Sequence, residues 1–215
     1  MTESAHPEAL LRRYLLQVRE MYGEGVYVEP VQSVSLREFE ADICHCQRCP
    51  LGGTRTRFVF GVGDPHADLV LVGEAPGREE DLQGEPFVGK AGGLLNRILA
   101  AIHLSRDQVY ICNVLKCRPP KNRTPASQEV DTCFPYLERQ IDMIRPRLIV
   151  TLGATAANVL LPVKDSLVRL RSKMWKWKSY DVVVTYHPAA LLRNPRLKRP
   201  AWEDFQWIER LIRGE

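Results

Sequence analysis

The sequence predicts a three-layer α/β/α fold around a mostly parallel central sheet, with a helical extension at its N-terminus. From about Asp68 onward short apolar runs alternate with helical segments, the pattern of strands joined by crossover helices. Four of these runs lead into a polar or glycine-bearing turn, and open α/β sheets bind ligands beyond the carboxyl ends of their strands. The chain has 215 residues and a net charge of +4. That suits one domain with an appended segment, 1–34 and then 35–215, and it confines any affinity for a polyanion to local clusters.

Residues 5 to 22 read as an amphipathic helix, with Leu10, Leu11, Tyr14, Leu15, Val18 and Tyr22 at helical intervals. Such a helix packs on a domain surface or serves as a partner-binding arm. "YGEGVYVEPVQSVS" reads as a linker. Ser35 and Glu38 form a capping box for a helix running toward Cys44. "DLVLVG" is strand-like, "AGGLLNRILAAIHL" helical and "VYICNVL" strand-like. "ASQEVDTCFPYLERQIDMI" is helical, with Thr124 as cap and Pro125 in the first turn. "RLIVTLG", "ATAANVLL", "VVVTYHP" and "PAWEDFQWIERLIR" follow as strand, helix, strand and closing helix. "SKMWKWKSY" reads as an extra strand or hairpin arm.

"LVLVGEAPGREEDLQGEPFVGKAGGLL" looks at first like a loop that cradles phosphate with backbone N–H groups. Glu74, Glu79, Glu80, Asp81 and Glu85 would repel that phosphate, and neither the dinucleotide nor the triphosphate glycine spacing is present. The turns after the strands instead supply a carboxylate, an amide (Asn113), an imidazole and the phenyl ring of Phe87. Those groups suit a flat, neutral, hydrogen-bonding ligand such as a nucleobase. No secretory pattern opens the chain and no run is long enough for a membrane span, so the expected compartment is the cytoplasm. Six cysteines there are thiols or metal ligands rather than disulfides.

"GEAPGREEDLQGEPFVGKAGGLL" and "TYHPAALLRNPRLKRPAWED" resemble the two signature regions of family 4 uracil-DNA glycosylases, iron-sulfur enzymes of bacteria and archaea. The likeness runs from about Cys46 to the C-terminus, and it implies that the α/β domain is uracil-DNA glycosylase-like. It makes Phe87 the ring on which a flipped uracil stacks, and Asn113 the amide that reads the uracil edge. His187 becomes the group that hydrogen-bonds the base O2, and Glu74 the essential acid, with Ala75 in the substrate-binding set. Catalysis would rest on Glu74 and His187: breaking an N-glycosidic bond leaves an oxocarbenium-like sugar and a uracil anion, and both need stabilising. In family 1 the equivalent turn places an aspartate where this chain has Ala75 and a tyrosine where it has Gly77. The activator of the water and the wall that rejects thymine's methyl group are therefore unassigned by sequence. Glu80 and Asp81 are secondary catalytic candidates, or loop hydrogen-bonders.

The same resemblance implies a 4Fe-4S cluster on Cys46, Cys49, Cys117 and Cys133, with a structural role. Zinc is the competing metal, although structural zinc sites more often use two close cysteine pairs and only one is present. Cys44 and Cys112 are left over as small buried hydrophobes. "CRPPKNRTP" carries Arg118, Lys121 and Arg123, with Lys116 just before, as a phosphate-binding loop. Arg193, Arg196, Lys198 and Arg199 form a second basic edge. Leu191 or Leu192 is the wedge that fills the gap left by a flipped base, one exposed and the other buried.

The expected activity is monofunctional: base flipping, hydrolysis and an abasic site in base excision repair, by a monomer acting on single- or double-stranded uracil-containing DNA, with no membrane and with a sliding clamp as candidate partner. One alternative is a protein that captures uracil-DNA covalently; it is disfavoured by the absence of a basic insertion before His187. The other is a broader-specificity family 5-like enzyme, disfavoured by the acid at Glu74.

Overall fold

The computed structural model describes residues 7–23 and 34–215. The linker reading therefore falls mainly outside the described residues, as do the side chains of Leu10, Leu11 and Tyr22. Two compact units divide between Val34 and Ser35. In the first, α1 spans Pro7–Tyr22.

The second unit opens with α2, Leu36–Ile43. Its capping box forms as the sequence requires: the Ser35 hydroxyl accepts from Glu38 N at 3.2 Å, and the Glu38 carboxylate accepts from Ser35 N at 2.7 Å. The strands are β1 (Val62–Gly63), β2 (Leu69–Gly73), β3 (Tyr110–Asn113), β4 (Leu148–Leu152), β5 (Trp175–Trp177) and β6 (Tyr180–Thr185). They lie in the order β1-β3-β2-β4-β6-β5, with β3, β2, β4 and β6 parallel and the two edge strands antiparallel. The remaining helices are α3 (Arg78–Gln83), α4 (Lys90–Ala101), α5 (Ser127–Ile144), α6 (Ala154–Leu160), α7 (Leu167–Leu170), α8 (Pro188–Arg193) and α9 (Lys198–Arg213).

β2 and β4 are buried at every residue, which is why they read as unbroken apolar runs. Successive residues then serve opposite faces. Val70 and Val72 pack with Leu137 and Ile141 of α5 and Ala156 and Ala157 of α6. Leu69 and Leu71 pack with Leu95 and Leu99 of α4 and Phe205 and Ile208 of α9. The chain leaves β2 for β3 on one side and later for β4 on the other, so the strand order reverses between β2 and β4. Ligands of such sheets sit in the crevice at that reversal.

Two local expectations need correction. α5 begins at Ser127, and its first turn is capped by the Glu129 carboxylate accepting from Ala126 N at 2.8 Å, rather than by Thr124. The acidic stretch after β2 is no simple loop, because Glu79, Glu80 and Asp81 form the first turn of α3, where carboxylates favour the positive end of the helix dipole.

Candidate active site

A cleft of about 500 Å³ lies at the β2/β4 reversal and is lined by Glu74, Ala75, Phe87, Asn113 and His187 among others. Glu74 is the first residue beyond β2, and Asn113 is the last of β3, in register with Gly73. A Cβ at Gly73 would lie 2.3 Å from Asn113 Oδ1 and 2.8 Å from Phe87 Cζ. Only a glycine lets the amide and the ring share one wall. Asn113 is 2% exposed, and its Oδ1 has no hydrogen-bond partner among the described residues. An unpaired buried acceptor is destabilising, so a native fold that keeps one in a cleft points to a donor on the ligand.

His187 follows β6 in extended conformation (φ −65°, ψ 134°), as Pro188 demands of the residue before it, and serves as N-cap of α8. Its Nδ1 accepts from Ala189 N at 3.1 Å, so the neutral ring carries its proton on Nε2. Burial, with Arg193 nearby adding to the effect, pushes its pKa down to about 4. The imidazole is therefore an uncharged donor at neutral pH. Its ring stacks on Phe87 with centroids 5.3 Å apart and planes 29° apart. The strand behind it is anchored by a buried group that the sequence did not reveal. Asp204 of α9 accepts from Thr185 Oγ1 at 2.6 Å and pairs with Arg171 at 2.7 Å.

The depressed His187 pKa carries a stability consequence. The unfolded chain binds a proton at His187 near pH 6.5, while the folded chain waits until about pH 4, so stability falls as pH drops through that window. Between pH 7 and 5 this amounts to about 2 kcal/mol. Urea midpoints of the wild type and His187→Gln should diverge by that amount, the variant losing less. Parallel curves would place the imidazole elsewhere.

Glu80 and Asp81 have structural partners. The Glu80 carboxylate accepts from the N–H groups of Gly77, Val88 and Gly89, each at 3.1 Å. Asp81 is buried and accepts from Thr56 N at 2.9 Å.

Of the basic loop, Lys121 is exposed and Arg118 Nε donates to Asn122 Oδ1 at 2.7 Å. Arg123 lines the cleft and pairs with Glu129 through both terminal guanidinium nitrogens, Nη1 and Nη2, at 2.8 and 2.5 Å. Lys116 is not part of that surface. It is fully buried, donating from Nζ to Asn113 O at 2.8 Å and to Gln140 Oε1 at 2.5 Å, and a chain of polar contacts continues from Gln140 Nε2 to Phe60 O. Spacing along the sequence placed it with its charged neighbours, but the turn after β3 points it inward. On α8, Leu191 is 1% exposed and packs with Tyr186 and Ala201, while Leu192 is 43% exposed beside Arg193.

The thiols divide clearly. Cys133 and Cys49 both lie close enough to raise the pKa of Cys117, and Cys49 and Cys46 to raise that of Cys133. Burial pushes Cys117 up to about 11 and raises Cys133. Donors face three of these sulfurs: Tyr136 Oη to Cys46 at 3.3 Å, Arg55 Nη1 to Cys117 at 3.3 Å and Lys116 N to Cys133 at 3.3 Å. Cys44 Sγ donates to Ala41 O within its own helix end, and Cys112 is buried in β3. Among the described residues no group of three or more His, Cys, Asp or Glu is placed to hold a metal ion. No helix among them is long and apolar enough to cross a membrane.

A sheet with an amide, an aromatic ring and a neutral imidazole at its reversal defines a doubly wound α/β protein whose cleft suits a flat, hydrogen-bonding ligand. Residues 60–209 match the family described as the uracil DNA glycosylase superfamily. The type-4 uracil-DNA glycosylase of Archaeoglobus fulgidus is 47% identical over 185 residues, covering 82% of this chain and 93% of the relative. That of Sulfurisphaera tokodaii is 45% identical over 186 residues, covering 82% and 84%. The type-5 enzyme of Pyrobaculum aerophilum is 30% identical over 149 residues, covering 61% and 66%. The chain belongs to the type-4 family of this superfamily.

Proposed function

We infer that this chain is a monofunctional uracil-DNA glycosylase of base excision repair, which extrudes uracil from DNA and hydrolyses its N-glycosidic bond to leave an abasic site. The observation that carries the reading is the unpartnered Asn113 Oδ1, held against the Phe87 ring across Gly73. Uracil offers N3–H to that oxygen and O4 to the amide nitrogen, whereas cytosine reverses both polarities. The base stacks on Phe87 beside Ala75. His187 Nε2–H meets O2, where negative charge gathers as the bond breaks; a donor that is already neutral need not lose a proton to the anion it stabilises. Glu74 stabilises the cationic sugar or orients the attacking water. Leu192 wedges into the stack, with Leu191 anchoring its helix, and Arg118, Lys121, Arg123 and Arg193 lie along the phosphates.

The test is an end-labelled oligonucleotide with one deoxyuridine, opposite G, opposite A or single-stranded, incubated with the protein and then treated with alkali. Alkali-dependent cleavage is expected. An intact strand carrying a denaturation-resistant protein adduct would make the protein a covalent binder instead.

The proposal includes a 4Fe-4S cluster on Cys46, Cys49, Cys117 and Cys133. The donor set fits: four thiols from three segments, with Cys117 and Cys133 each within electrostatic reach of others of the set, three with hydrogen-bond donors on sulfur, and two cations, Arg55 and Lys116, close by. The cluster asks one thiolate for each iron rather than several side chains around one ion. Its contribution when bound is a cross-link between the segment after α2, the turn after β3 and α5. Cys117→Ala should purify colourless and lose more than about 3 kcal/mol of stability, because cofactor binding is coupled to folding. Colourless protein of wild-type stability would remove the cluster. The acting species is taken to be a cytoplasmic monomer, with residues 1–34 as an extension. A sliding clamp stands as a candidate partner, with the amphipathic α1 as the arm that would meet it.

A further inference from the structure

Phe87 has φ +55°, a left-handed conformation that a non-glycine residue holds only where its surroundings impose it. Three groups do so. The Glu80 carboxylate takes the N–H groups of Val88 and Gly89. The Phe87 carbonyl sits directly over Gly92, where an added Cβ would lie 1.7 Å from its oxygen. From another direction the Arg106 guanidinium donates through Nη1 to Phe87 O at 3.2 Å and through Nη2 to Pro86 O. Arg106 is partly buried, with Glu85, Asp107 and Glu80 as nearby opposite charges.

A guanidinium presents its donors in a rigid plane, so two bonds to successive carbonyls fix the orientation of the peptide between them. That peptide carries the ring of the cleft. Arg106 also opens the short turn Arg106–Gln108 that leads into β3, the strand ending on Asn113. One side chain thus ties the ring to the strand that carries the amide.

We infer that Arg106 is a positioning residue for base capture, its fork on the Pro86 and Phe87 carbonyls holding the Phe87 ring at the height of the Asn113 amide. The inference rests on Phe87 being the surface on which the base stacks. Arg106 acts through Phe87 and touches no reacting atom.

The test is a cycle of Phe87→Ala, Arg106→Met and the double variant, read by kcat/KM on a deoxyuridine oligonucleotide and by inhibition with free uracil. Arg106→Met should lower kcat/KM about tenfold and weaken uracil inhibition by a similar factor. In the Phe87→Ala background it should change neither, because its only route to the base is already gone. Equal losses in both backgrounds would overturn the inference and move Arg106 to the DNA or to general stability. Arg106→Lys keeps the charge without the fork and should fall between wild type and Arg106→Met; full activity for it would overturn the two-carbonyl clamp. If Arg106→Met does not fold, the same cycle runs with Arg106→Lys. Wild-type activity in Phe87→Ala itself would overturn the base-stacking reading, and this inference with it.

Discussion

Glu74→Ala is expected to release uracil about 100- to 10,000-fold more slowly than wild type, with little change in KM. The reason lies in where the charge develops. Glu74 stands at the reversal between β2 and β4, in the wall that also holds Asn113 and Phe87, and it is half-buried in the cleft. A fixed carboxylate beside a developing oxocarbenium ion acts in a medium that screens it far less than water does. Glu74→Gln keeps the shape and discards the charge. Equal loss in the two variants would assign the residue to cation stabilisation, and partial retention in Gln to orientation of the water. Full activity in both would take the acid's role away from Glu74, and Glu80 could not readily inherit it while its oxygens hold three backbone N–H groups.

The second large effect concerns selectivity. Asn113→Asp should lower kcat/KM on uracil by about 100-fold or more and bring cytosine release above background, since the fixed donor and acceptor of the amide give way to a carboxyl whose single proton can sit on either oxygen. Buried as Asn113 is, an aspartate there would be held protonated, offering cytosine N3 a donor and the cytosine amine an acceptor. Measuring both bases in matched oligonucleotides checks it; unchanged rejection of cytosine would mean that the edge is read elsewhere.

The parts of this molecule that were legible in its sequence are those set by local pattern. β2 and β4 declare themselves because both faces of each strand are covered, and Asn113 and His187 because they stand where strands end. Two of the short elements were not legible. β1 has two residues and α3 six, too few for any period to show. Thr124-Pro125 carries a start signal that Glu129 outcompetes from inside the helix. Nor could spacing reveal Gly73, Gly92 or Arg106, whose significance lies in approaches between segments far apart in the chain. Lys116 is the clearest case: its neighbours in sequence are surface cations, yet its neighbours in space are Asn113, Gln140 and buried thiols.

α8 is six residues long, too short to hold together by helical propensity alone. It is present because His187 caps it and Leu191 is gripped from below, so Leu192 rides on a turn built before any DNA arrives. A repair enzyme passes an enormous number of normal base pairs for each damaged one, and ordering a loop at every stop would slow the patrol. With Leu192 as the proposed wedge, the entropy of shaping it is given up once, when the chain folds. On that proposal the pace of inspection is left to how often the duplex itself breathes open.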